Sequence, residues 1–108
     1  AYLAFTADAT NGGYVQRIRF KPISGTGNNN VVTVARVYLN NGSTTGSNVN
    51  NTFIDEISLP ATTGVANAAL PVYELPLNLA MPPGYTIYVT LGTTVAAGYR
   101  VAVIGGKY

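Results

Sequence analysis

Four carboxylates, Asp8, Asp55, Glu56 and Glu74, and six cations, Arg17, Arg19, Lys21, Arg36, Arg100 and Lys107, are all the charge in this 108-residue chain. Glycoside hydrolysis would need two carboxylates about 5–10 Å apart across the scissile bond. Asp55 and Glu56 are neighbours, and neighbouring side chains on a strand point to opposite faces. A catalytic pair would therefore have to bring one of them to Glu74 or Asp8 in space. The ordinary alternative is ion pairing with Arg17, Arg36 or Arg100. The sequence has no His and no Cys. That removes the commonest general base and metal ligand, and all thiolate and disulfide chemistry. The acids are too scattered for a calcium loop. The expectation is a protein without catalysis, cofactor or metal.

What remains is binding chemistry. Arg17, Arg19 and Lys21 alternate with Ile18 and Phe20, so one face of that segment is apolar and the other is basic. It is the one charge cluster in the sequence. It reads either as a docking face for an acidic partner or as the solvated outer face of an edge strand. Eight tyrosines and no Trp supply the large aromatic surface. Tyr85 and Tyr99 are expected in the core and Tyr88 on the surface, where a ring can stack on a sugar or anchor an interface. The Asn-rich stretches Asn28–Asn30 and Asn40–Asn51 read as long, mobile hairpin loops.

The elements that must position these groups are strands. Seven runs alternate or are apolar throughout: Tyr2–Ala7, Tyr14–Pro22, Val31–Leu39, Thr52–Leu59, Val72–Ala80, Tyr85–Leu91 and Tyr99–Ile104. Asn, Gly, Pro and Thr clusters separate them. Short strands at regular spacing predict a β-sandwich or barrel. Val31–Leu39 is apolar on both faces apart from Thr33 and Arg36 and should be central. Pro71 and Pro76 push Val72–Ala80 to an edge. Broken alternation at Asp55 and Glu56 predicts a bulge. Val65–Leu70 can form a helical turn or two. Gly105 and Gly106 should end the last strand.

The length predicts one domain over residues 1–108. Charged residues are 9% of the chain, well below the roughly 25% of an average domain. Such a surface suits a protein with much of its exterior against another protein. The net charge of +2 lacks the strongly basic footprint of nucleic-acid binding. No run approaches the roughly 18 apolar residues of a membrane helix. Ala1 in place of Met points to processing or trimming of the start.

The C-terminal third, "YELPLNLAMPPGYTIYVTLGTTVAAGYRVAVIGGKY", resembles the closing segment of small virion proteins of tailed bacteriophages and prophages. The matching positions are Leu79, Met81, Pro83, Gly84, Tyr85, Ile87, Val89, Gly92, Thr93, Tyr99, Val101, Gly105, Gly106 and Tyr108. "NGGYVQRIRFK", Asn11–Lys21, is similar to an early stretch of the same family, so the resemblance covers most of the chain. Lys107 stands where an acid is usual and Tyr99 where Trp is frequent. Members often carry further N-terminal residues, so the resemblance allows an arm ahead of Ala1.

The resemblance implies an all-β, jelly-roll-like antiparallel sandwich of about seven to eight strands. Its implied role is capsid decoration, or cement, on the virion surface. The chain would be made in the bacterial host cytoplasm and would assemble as a homotrimer on the major capsid protein. The candidate interface is Arg17, Arg19, Lys21, Tyr88, Lys107 and Tyr108. A carbohydrate- or receptor-binding module of a phage head or tail fibre, with a glycan as ligand, is the alternative. A hydrolase would need more acids and bases than this sequence offers, and for a shell-building capsid protein 108 residues is short and the expected basic genome-binding arm is not seen.

Overall fold

The structure, a computed structural model, describes residues 2–107. The described residues form an all-β sandwich. Its strands are β1 (Tyr2–Thr6), β2 (Gly13–Pro22), β3 (Asn29–Asn30), β4 (Thr33–Asn40), β5 (Asn51–Leu59), β6 (Thr62–Thr63), β7 (Tyr73–Met81), β8 (Thr86–Leu91) and β9 (Tyr99–Lys107). One sheet runs β1-β8-β4-β5, the second β7-β2-β9, and β3 pairs with β6 as a small separate ribbon. All pairs are antiparallel. A jelly roll packs two four-stranded sheets in a double Greek key. The sheet β1-β8-β4-β5 has the order of one of them. The sheet β7-β2-β9 has the order of the other, with one edge position, beside β9, unfilled among the described residues.

The period-2 patterns decide what lies between the sheets. Val15, Ile18 and Phe20 of β2 and Leu75 and Met81 of β7 meet Ala35, Val37, Leu59, Ile87 and Val89 of the facing sheet. Phe20, Ile18, Leu59, Ile87, Val15 and Val37 are fully buried. Tyr85 and Tyr99 pack against this core while partly exposed. Pro76 lies on an edge strand, as its missing N–H requires, and the register between β2 and β7 slips between Val15 and Arg17. The extra residue on β7 is taken up near Asn78, which adopts a left-handed φ of 49°. A second slip, between Val37 and Tyr38, puts an extra residue into β5 just before Asp55, the bulge that the broken alternation predicts.

Several expectations are corrected. The strand after Val31 begins only at Thr33, because Val31 and Val32 are exposed and leave the ladder to connect β3 to β4. Val65–Leu70 is non-helical, and the only helical turn among the described residues is the 3-10 turn Asn48–Asn50. The last strand does not stop at the glycines but runs through them to Lys107. A Cβ on Gly105 would fall on the Tyr14 carbonyl oxygen, so glycine is there for close strand contact, not termination. The Asn-rich segments are not free loops. Asn40, 1% exposed, donates to Asn51 Oδ1 at 2.7 Å and accepts from Gly42 N at 2.7 Å and Thr86 Oγ1 at 3.3 Å. Asn50 and Asn51 donate to carbonyls of Thr44 and Thr45. Side-chain amides thus replace the backbone partners that the β4–β5 connection lacks.

The turn between β1 and β2 is built on Asp8. Its Oδ2 accepts from Asn11 N at 2.8 Å and Thr10 N at 3.1 Å, and Gly12 closes the turn at a φ of 80°. The Asn11 and Thr10 N–H groups hold the Asp8 carboxyl below its ordinary value of 3.8. A depressed folded value stabilises the fold above the unfolded value and stops doing so as pH falls through the folded one. Asp8→Ala should therefore lower Tm at neutral pH. The gap to wild type should close as pH drops below 3.8, and parallel melting series in acid and neutral buffers check this.

Candidate functional site

The central strand of the three-stranded sheet carries the charge. On the outer face of β2, Arg19 lies opposite Glu74 of β7 on one side and Ala102 of β9 on the other, while Lys21 lies opposite Arg100. Arg17 Nε and Arg19 Nε both reach Glu74 Oε2, at 3.1 and 3.0 Å. Lys21 donates its ammonium to the Leu70 carbonyl. Arg100 has no carboxylate partner among the described residues. Four of the chain's six cations thus share a face with one carboxylate. A shallow cavity of about 290 Å³ is lined there by Arg19, Lys21, Val72, Arg100 and Ala102. Lysine directly across from arginine on an antiparallel pair is repulsive. An anionic group seated between Lys21 and Arg100 would relieve that repulsion. The reading of the stripe as an edge-strand face is corrected, since β2 is flanked on both sides.

The outer face of the opposite sheet carries an apolar row. Leu3 of β1 faces Tyr88 of β8, Tyr88 faces Tyr38 of β4, and Tyr38 faces Phe53 of β5. These residues make one row across all four strands, roughly 14 Å long at about 4.8 Å per strand spacing. Tyr38 and Phe53 sit with ring centroids 5.5 Å apart at 56°, a tilted aromatic pair of ordinary favourable geometry. Phe53 is 50% and Leu3 48% exposed. The β4–β5 connection rises beside the row, and the two enclose a cavity of about 360 Å³ between Tyr38, Phe53 and Tyr88 on the floor and Thr45, Asn48 and Thr90 at the rim. The bulge before Asp55 sets which β5 side chain joins the row, and the buried Asn40 fixes the base of the connection.

The predicted interface residues are therefore divided between surfaces. Arg17, Arg19 and Lys21 share the basic face, with Lys107 on β9 at the far end of that sheet, opposite Gly13. Tyr88 belongs to the aromatic face. Tyr108 lies outside the described residues. The carboxylates are dispersed: Glu74 on the basic face, Glu56 paired with Arg36 at 3.2 Å on the other sheet, Asp55 accepting from Glu56 N at 2.8 Å, and Asp8 in its turn. Among the described residues no three Asp or Glu groups stand together as metal ligands.

Sequence reasoning missed two residues that position these surfaces. Asn40 is one. The other is Asn30, 3% exposed, whose Oδ1 accepts from Gly98 N at 2.9 Å and Ala97 N at 3.2 Å. Its Nδ2 donates to Gly98 O at 3.1 Å. Asn30 thereby fixes the turn that delivers Tyr99 and Arg100 into β9. Only its position at the end of an Asn run distinguishes it in sequence. Asn30→Ala leaves buried donors unmatched and should cost about 1–3 kcal/mol, read as a shift in denaturant midpoint at unchanged m-value.

Comparison with protein-family models, with curated proteins and with solved structures finds no match.

Proposed function

We propose that the chain is a structural virion protein of the capsid-decoration type, which stabilises a phage head by bridging capsomers. The observation that carries this reading is the basic face of β7-β2-β9. In a chain so poor in charge, most cations are gathered on one sheet face with a like-charged pair set directly opposite. Such a face is suited to an acidic protein surface, here the major capsid protein. The resemblance of the closing segment supplies the particle, and the jelly-roll strand order fits it. No step of chemistry is required. The protein binds the assembled shell in preference to free capsomers, and that difference in affinity stabilises the shell by linkage, about 2.7 kcal/mol per site at a hundred times Kd. The decoration role favours three-fold sites and hence a homotrimer. Co-sedimentation with expanded heads at rising salt tests it. Binding should be strong at low salt and weaken as the charges are screened. Salt-independent binding, or none, removes the basic face from the account.

The aromatic row with its polar rim favours a second reading, a glycan-binding module of a head or tail fibre. Ring faces stack on sugar C–H surfaces, and Thr45, Asn48 and Thr90 offer hydrogen bonds at the rim. A glycan array separates the two. Specific binding lost in Phe53→Ala, with co-sedimentation unaffected, would assign the aromatic face to a saccharide.

A further inference from the structure

The sandwich has four strand edges, and three carry features that discourage pairing with another chain. On β7 these are Pro76 and the left-handed Asn78. On β5 they are a bulge and the adjacent acids Asp55 and Glu56. The edge strand β1 is only 5 residues long and its register shifts between Leu3 and Phe5. The fourth edge, β9, has no proline, acid or left-handed residue, and where its ladder with β2 slips, beside Ile104 and Gly105, the extra residue is Gln16 on β2. Strand β9 is 9 residues long, and its central run Val101–Ile104 holds neither charge nor proline. It borders the one position of the jelly-roll order that no strand among the described residues fills. Between β9 and the neighbouring β1 edge the core is open. A cavity of about 490 Å³ there is lined by Tyr2, Val89, Leu91, Tyr99, Arg100 and Val101.

We propose that this edge pairs with the same edge of a second copy, β9 antiparallel to β9 across a two-fold axis, so that each copy covers the other's open edge. The edge is complementary to itself. With the axis at Ala102, Val101 lies opposite Val103 of the second copy and Arg100 opposite Ile104, so no like charges face one another. The axis stands normal to the sheet, so inner faces join inner faces. The half-buried Val101 and Val103 gain cover, and the two basic faces become one surface across six strands. This contact does not depend on the capsid reading. It predicts a two-fold, whereas the decoration role predicts a three-fold.

The test uses the whole chain. Light scattering at tens of micromolar should return a dimer, or a hexamer where a three-fold contact is also made. Val103→Lys, which puts an inward-facing charge on the edge strand, should lower the mass to that of the monomer or the trimer. The sequence has no cysteine, so Ala102→Cys introduces a single thiol on the proposed axis. Opposed antiparallel residues stand about 4.5–5.5 Å apart at Cα, within the range a disulfide spans. On mild oxidation Ala102→Cys should cross-link to a dimer at least tenfold faster than Ala80→Cys, an exposed position on the opposite edge strand. This readout holds even where Val103→Lys fails to fold. A wild-type monomer, or equal cross-linking rates for the two cysteine variants, overturns the proposal.

Discussion

Phe20→Ala is expected to cost about 3–5 kcal/mol, the range for emptying a fully enclosed aromatic site. Phe20 is the largest of the fully buried side chains. It sits on the central strand of its sheet, between Tyr73 of β7 and Val101 of β9 in register. Neither flanking strand can collapse into the space without losing its own ladder. Against a total stability of about 5–15 kcal/mol for a single domain, Tm should fall by roughly 12–20 °C, taking about 4 °C per kcal/mol for a domain of this size. Val101→Ala and Val103→Ala are the contrast. The period of the last strand places both in the core, and a loss of about 1–3 kcal/mol each would follow from full burial. Both are only partly buried, because β9 is an open edge. About 1 kcal/mol or less is expected for each. Denaturant melts of the three variants rank them directly.

The second large effect is on binding, and its sign differs from the effect on stability. Arg100→Glu replaces a repulsive cross-strand pair with Lys21 by an attractive one, which should raise stability by about 0.2–1 kcal/mol. The same change places a carboxylate in the cavity where an acidic partner would seat. Reversing both Lys21 and Arg100 should weaken binding to expanded heads on the order of 100-fold, about 2.8 kcal/mol at 1.4 per tenfold. The double variant loses the Lys21 hydrogen bond to the Leu70 carbonyl and should melt about 0.5–1.5 kcal/mol below wild type while remaining folded. A variant that binds worse because it is unfolded would show the loss in both measurements. Equal binding by wild type and the double variant would remove the basic face from the interface.

Much of the fold was legible because strands print a two-residue period wherever one face is buried. Ile18 and Phe20 against Arg17, Arg19 and Lys21 gave the inner and outer faces of β2 directly. Pro76 marked an edge because proline lacks the ladder N–H, and Asp55 beside Glu56 marked a bulge because alternation cannot include both. What stayed hidden depends on partners distant in sequence. Two-residue strands such as β3 and β6 have no period to read. Gly105 looks like a stop until Tyr14 is seen against it. Asn30 and Asn40 look like turn residues, and their burial follows only from Ala97, Gly98 and Thr86 arriving beside them. The aromatic row was out of reach for the same reason. Tyr38, Phe53 and Tyr88 come from three strands, and two register slips decide that they line up with Leu3.

The central claim, that this chain acts as a structural part of a phage particle, is tested most directly by quantitative mass spectrometry of purified virions from the lysate that encodes it. The account predicts the chain in the particles at a fixed copy number, an integer fraction or multiple of the symmetry sites of the shell, and its release at raised salt before the shell opens. Its absence from intact particles, or its presence in variable trace amounts unrelated to shell number, would contradict that claim.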